Sequence, residues 1–243
     1  MFSLHKSNLV WCFSLLPCAL DVGSLRQINS QEANKIAELI NYAKQSSDST
    51  YNAHAVIGGY HSINIDDHYF QGQRDTVKRL SRVPFDFKNK TVLDLGCNMG
   101  GMLFALKDTI KHGVGVDYDV QLINLSNRLR SHFQVSNLDF YVFDLDKEPL
   151  KVIKNFIKTE TVDICFLLSM CVWLTNWRSV INFAHQISTH LLFESNGYER
   201  QRKQQYRYLK KKYATVTLLN TSSDDDPTQK SRQLYLCSKN IAD

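Results

Sequence analysis

The chain has 243 residues, 43% of them hydrophobic and 11% aromatic. That excludes a disordered polypeptide and allows one sizeable core with a terminal arm. The formal charge is +5, so the chain is only mildly basic, and the location of the charge matters more than its sum. Six cysteines (Cys12, Cys18, Cys97, Cys165, Cys171 and Cys237) form no C-x-x-C pair, and no Cys/His group has zinc-finger spacing. No metal site is expected. Reduced thiols in a cytoplasmic protein are the plain reading.

The first stretch contains an apolar run, Leu9 to Leu20 (LVWCFSLLPCAL), preceded by Lys6. It is too short to span a bilayer, so stable membrane insertion is not expected. Pro17 and the nearby Asp21 make it a poor signal peptide, and it reads as an arm packed on the main domain. Whether residues 1–25 are a targeting segment stays open. Asn29 to Gln45 reads as an amphipathic helix: Asn29 with Glu32 resembles a capping box, and Ile36, Leu39, Ile40 and Ala43 recur at helical spacing. Residues 1–50 are therefore taken as a helical N-terminal arm and 51–243 as one domain.

Tyr51 to Leu80 is rich in polar and aromatic residues, with turns at Gly58-Gly59 and Asp66-Asp67. Such a loop is a good place for substrate contacts. His54, His61 and His68 are each candidate general bases, because histidine titrates near neutrality. Arg74 and Arg79, on a helix expected over about residues 73–81, could grip a carboxylate in a forked pair.

Thr91 to Leu106 (TVLDLGCNMGGMLFAL) organises the rest. It starts as a strand buried on both faces, meets a glycine turn and continues as an apolar helix. Glycines let the backbone turn sharply and a ligand approach it closely. A dinucleotide turn wants G-x-G-x-x-G, whereas the spacing here is D-x-G-x-x-x-G-G, with Asp94 inside the strand. That carboxylate suits a ligand carrying a cation better than a pyrophosphate. Strand and helix then alternate, as a parallel sheet requires. Strands are expected at residues 113–118, 138–143, 161–170 and 190–194, with Asp117 at the end of the first, Asp144 just after the second and Glu194 at the end of the last. The strand-end Asp117 lies about 20 residues after the glycine turn, the distance at which a carboxylate reaches ribose hydroxyls.

Asp94-Leu95-Gly96-Cys97-Asn98-Met99-Gly100 resembles the first motif of the class I S-adenosylmethionine-dependent methyltransferases, D/E-x-G-x-G-x-G. Asn98 replaces the middle glycine, a change that left-handed backbone angles tolerate in asparagine. The resemblance implies a Rossmann-like α/β fold: a seven-stranded, mostly parallel sheet with helices on both faces. It implies S-adenosylmethionine as cofactor, held by Asp94, Gly96, Cys97, Asn98 and Gly100 around the turn. It further implies Asp117 and Tyr118 at the ribose, Asp144 and Leu145 at the adenine, and Ser169 at the fourth strand end. The segment Tyr69 to Arg74 with Arg79-Leu80 resembles the lead-in of RNA 5′-methylphosphate capping methyltransferases, which implies that Arg74 and Arg79 help hold the cofactor. Tyr60-His61-Ser62-Ile63 looks like the lead-in of wobble-uridine carboxymethyl-type enzymes.

The methyl acceptor is less legible. The fourth strand end, Leu168-Ser169-Met170-Cys171-Val172-Trp173, lacks the N/D-P-P-Y/F of enzymes that methylate base amines. Cys171 also lacks the P-C or T-C context of the enzymes that attack pyrimidines with a thiolate. Trp173, Asn176 and Trp177 could stack on a planar substrate. The segment from Tyr198 to Tyr213 holds seven basic residues and one acid, more positive charge than the chain as a whole, so the basicity is local. Interleaved tyrosines suit it to phosphates and bases, and the acceptor is expected to be RNA, with a small molecule as the alternative. A phosphate or carboxylate nucleophile needs no base, whereas a hydroxyl or amine could use His61 or Glu194 as the catalytic base. A nicotinamide oxidoreductase is disfavoured by the glycine spacing. A catalytically silent module binding adenosylmethionine or RNA stays open.

Overall fold

The computed structural model describes residues 30–46, 59–65, 68–223 and 231–239. The arm's first 29 residues, the capping residue Asn29, the domain boundary near residue 50, His54, the turns at 58 and 66–67, and the acidic loop at 224–226 involve residues outside these.

Among the described residues nine strands and six α-helices follow in chain order: α1 (Ser30–Ser46), β1 (Ile63–Ile65), β2 (His68–Phe70), α2 (Thr76–Leu80), β3 (Thr91–Leu95), α3 (Gly101–Phe104), β4 (His112–Asp117), α4 (Val120–His132), β5 (Leu138–Val142), β6 (Val162–Leu168), α5 (Trp177–Ile187), β7 (Ser188–Glu194), α6 (Glu199–Lys212), β8 (Thr215–Asn220) and β9 (Leu234–Ser238). Seven strands make one sheet in the order β5-β4-β3-β6-β7-β9-β8. β5, β4, β3, β6 and β7 run parallel, and β9 runs antiparallel to both β7 and β8. The chain builds outward from β3 through β4 to β5, then crosses back to lay β6 on the other side of β3. Ligands collect at the carboxyl ends of strands beside such a reversal.

The parallel strands are apolar on both faces because both are covered. Val92, Ile164, Phe166 and Leu192 pack beneath α1 and α4, in a core that includes Ile36, Ile40, Leu122 and Leu129. The intervening Leu93, Cys165, Leu191 and Phe193 face the other way, against Val180, Ile181 and Ala184 of α5 and Leu209 of α6. This is the expected Rossmann-like α/β architecture.

Two local expectations differ. The segment before β3 is not simply a loop: β1 and β2 pair as a short antiparallel hairpin, Ile63 opposite Phe70. Three-residue strands give too little alternation to read from a sequence. The helix expected over residues 73–81 is one short turn longer than five residues only in pattern; it starts at Thr76, because the Asp75 side chain accepts from the Lys78 amide and caps it there. Arg74 lies before the cap, bridged to His61. None of the described helices is long and apolar enough to cross a membrane.

Candidate active site

The glycine turn after β3 is held open by its backbone. Gly96 and Gly100 have φ of 82° and 77°, and Asn98 has 54°, the left-handed conformation in which asparagine replaces glycine. A Cβ at Gly100 would sit 2.5 Å from the Phe140 ring. The turn is tied to the next strand end: Asp117 accepts the Asn98 amide at 2.8 Å and the Asp119 amide at 3.0 Å. Asp119 in turn caps α4 through the Gln121 and Leu122 amides.

A cavity of about 470 Å³ opens at these strand ends. Of the expected cofactor residues, Gly96, Asn98, Asp117, Tyr118, Asp144, Leu145 and Ser169 line it. Gly100 and Cys97 do not; Gly100 shapes the turn, and Cys97 is buried. Burial pushes the Cys97, Cys165, Cys171 and Cys237 thiols up, which leaves them inert packing groups.

Asp94 is also absent from the lining. It is 1% exposed, and its Oδ2 has no hydrogen-bond partner. Burial first, and Asp117 second, push its carboxyl up to about 8. Asp117 itself is pushed up to about 6 by burial, against the pull of the amides it accepts. Asp144 lies lower than an ordinary carboxylate: Lys147 bonds it at 3.0 Å, and the Asp146 and Lys147 amides donate to it. The loop bearing Leu145 is fixed from across the cavity: the Asn176 side chain donates to the Leu145 carbonyl at 3.0 Å.

The other side of the cavity departs most from expectation. Glu194 is 2% exposed and does not line the cavity. Its Oε1 accepts from Arg74 Nη2 at 2.7 Å, and its Oε2 from Arg74 Nη1 at 3.2 Å. Arg79 Nη2 donates to both oxygens at 3.1 Å, and the Ser169 hydroxyl adds another bond. The forked carboxylate grip expected of Arg74 and Arg79 is real, but the carboxylate is Glu194. Both arginines bind Glu194 and stand outside the cavity lining, and Arg74 Nη1 also donates to the Tyr60 hydroxyl at 3.2 Å. Glu194, clasped by two guanidinium groups, is not placed to take a proton from an acceptor.

His61 does line the cavity and is 4% exposed, with Nδ1 lacking a partner. Burial, reinforced by Arg74, lowers it to about 3. Both effects disfavour its protonated form, which weighs against the base role expected of it. His68 is buried against Phe70 and Phe133. Trp173 lines the cavity and is 58% exposed, whereas Trp177 stacks under Arg178 and against Tyr208 instead.

Tyr60 and Arg232 were not legible in the sequence. Both line the cavity; Arg232 Nη1 donates to the Tyr60 hydroxyl at 2.9 Å and to Ser169 Oγ at 3.3 Å. Neither carries a local signature, since they sit 172 residues apart and meet only in the fold.

A doubly covered parallel sheet with a glycine turn, carboxylates at successive strand ends and a cavity over its reversal point defines a Rossmann-like transferase. Residues 86–221 match the family model of the methyltransferase domain, and the chain belongs to that family. The domain's glycine-turn motif implies S-adenosylmethionine as the methyl donor. No curated protein matches the chain. Among solved structures, WbdD, described as a bifunctional kinase-methyltransferase, is 18% identical with a TM-score of 0.56. That match covers 82% of this chain and 46% of WbdD, so the chain spans about half of that protein. The N-terminal domain of EvdMO1 with SAH bound is 10% identical, TM-score 0.59, covering 87% of this chain and 98% of that one. The YcgJ protein from Bacillus subtilis is 9% identical, TM-score 0.52, covering 68% and 97%. At these identities the likeness shows the fold.

The donor set fits the cofactor. Carboxylates at the β4 and β5 ends match hydroxyl and amino donors, and the exposed Tyr118 ring offers an apolar face.

Proposed function

We propose that this methyltransferase acts on an acceptor oxygen that is already anionic, and that RNA carries that acceptor. In this reading Asp117 takes the ribose hydroxyls, Asp144 and the Leu145 amide take the adenine, and the Gly96–Asn98 turn takes the amino-acid end. Ser169 borders the methyl donor. The cofactor supplies a methyl group on a positively charged sulfur.

One observation carries the anionic acceptor: every acid lining the cavity lies on the cofactor side and accepts two backbone amides. Asp117 accepts the Asn98 and Asp119 amides, and Asp119 those of Gln121 and Leu122. Asp144 accepts the Asp146 and Lys147 amides, and Asp146 those of Thr175 and Asn176. All four lie on the β4–β5 side. On the β6–β7 side the lining offers Tyr60, His61, Ser169 and Arg232, among which none is a strong base at neutral pH. An oxyanion needs none. Its lone pair forms the new C–O bond as the C–S bond breaks, the bonding pair leaves with sulfur, and no proton moves. The residues contribute alignment and exclusion of water.

RNA is supported by α6. Its Arg200, Lys203, Arg207, Lys210 and Lys211 face solvent, and its start is joined to the cavity mouth: Val172, beside Trp173, donates its amide to Asn196 at 3.2 Å. Basic side chains leading to an exposed tryptophan suit a phosphate backbone with a stacked base. A small-molecule acceptor is the second reading, favoured by a cavity within the size range of small-ligand pockets. The test is transfer of labelled methyl into RNA and metabolite pools, with Arg207, Lys210 and Lys211 changed together to glutamine. RNA is supported if the label enters RNA and the variant loses most of it. It is refuted if the label enters metabolites at an unchanged rate.

A further inference from the structure

Two buried arginine environments stand side by side in this site, and they are not equivalent. Arg74 and Arg79 share the Glu194 carboxylate. Arg232 is 7% exposed and lines the cavity, and its hydrogen bonds are to two neutral hydroxyls, Tyr60 and Ser169. No ion pair joins it to a carboxylate among the described residues. A guanidinium is charged at every physiological pH, and a buried charge is normally paired. Among the described residues no carboxylate meets it directly, so an anionic ligand in the cavity would supply its counter-charge.

The location says which ligand supplies it. Arg232 leads into β9, which is three places across the sheet from β3 and four from β4. At the usual strand spacing the β9 backbone is roughly 14 Å from β3, and the Arg232 guanidinium reaches back from it to Ser169 at the end of β6. It stands over β6 and β7, beside Ser169 and the base-free half of the cavity. The family match ends at residue 221 and begins at 86. Tyr60, His61 and Arg232 all lie outside it, whereas Gly96, Asn98, Asp117 and Asp144 lie inside. The matched segment thus holds the glycine turn and the strand-end acids, together with Ser169, while Tyr60, His61 and Arg232 come from its flanks.

We infer that Arg232 is the acceptor's anion receptor, a specificity-determining residue that selects a phosphate or carboxylate oxygen and holds it beside Ser169. The Tyr60 hydroxyl, which also accepts from Arg74, holds the guanidinium, and His61, with Nδ1 unpartnered, stands ready to bond a further acceptor atom. The inference rests on the base-free reading above. It adds a consequence: methylation removes one negative charge from the acceptor, so Arg232 holds the product less tightly than the substrate and favours its release.

The test uses the full chain saturated with S-adenosylhomocysteine. Inorganic phosphate and acetate are titrated into it by calorimetry and nuclear magnetic resonance, with Arg232→Gln and Arg232→Lys alongside. The wild type should bind at least one anion. Arg232→Gln should weaken that binding about ten- to hundredfold, with Arg232→Lys in between and S-adenosylhomocysteine affinity nearly unchanged. Preference for phosphate assigns a phosphorylated acceptor, and preference for acetate a carboxylate. The inference is overturned if the wild type binds neither anion, or if Arg232→Gln binds them as well as the wild type. It is also overturned if Arg232→Gln weakens S-adenosylhomocysteine but not 5′-methylthioadenosine, since Arg232 would then serve the cofactor's own carboxylate. Should anion binding depend on Arg232 while turnover follows the titration of a protein base, the base-free reading fails and the receptor stands.

Discussion

Glu194 and Arg74 meet in a two-pronged ion pair, Oε1 to Nη2 at 2.7 Å and Oε2 to Nη1 at 3.2 Å, with both side chains almost wholly out of solvent. The pair ties the end of β7 to the segment before α2, 120 residues away. Through the Ser169 hydroxyl it also fixes the end of β6. Removing one partner strands the other charges in a medium that solvates them poorly. Glu194→Gln should cost about 3–5 kcal/mol of folding stability by urea denaturation. A loss under about 1 kcal/mol, with activity abolished, would return Glu194 to a chemical role.

Asp117 holds the glycine turn as well as facing the cavity. Asp117→Ala should weaken S-adenosylhomocysteine about tenfold or more, from the loss of charge-assisted hydrogen bonds. Calorimetric titration reads this directly, and unchanged affinity would remove Asp117 from the cofactor site.

The turn also makes a steric prediction. Gly100→Ala must accept φ of 77° and a Cβ 2.5 Å from Phe140. Backbone strain of about 1–2 kcal/mol and overpacking of about 1–3 kcal/mol should both appear in a denaturant melt. A variant as stable as the wild type would mean that the turn relaxes freely.

Asp94 predicts a pH dependence of stability. Its carboxyl is pushed up to about 8 in the native state, against 3.8 for an ordinary aspartate. Between these values the native protein retains a proton that the unfolded chain has released, so native stability falls as pH rises from about 4 to about 8. Asp94→Asn mimics the protonated form and should flatten that part of the profile. Melting temperatures at pH 6 and pH 9 check it: the drop on going to pH 9 should be smaller in the variant. Equal drops would place the titration elsewhere.

The legible parts of this molecule are local in sequence. The glycine turn, Asp94 and the strand-end Asp117 and Asp144 lie within about 50 residues, each marked by a buried strand running into polar residues. The same pattern carried the alternation of strands and helices. Contacts joining distant segments were not legible. Arg74 and Arg79 have the right chemistry for a carboxylate, but nothing local says that Glu194, more than a hundred residues on, is that carboxylate. Histidine near neutrality is a reasonable base in a loop; the burial that lowers His61 exists only once Gly101 packs within reach of it. Arg232 follows an acidic stretch and reads as a surface cation, yet the antiparallel return of β9 delivers it to the cavity.

The measurement that tests the account most directly is the pH–rate profile of methyl transfer at saturating S-adenosylmethionine, on whichever acceptor takes the label. Transfer to an oxyanion without a protein base predicts a rate that rises only with the acceptor's own ionisation and is flat above it, in the wild type and in His61→Gln alike. A profile that follows a protein group instead, and loses that limb in His61→Gln, would contradict it.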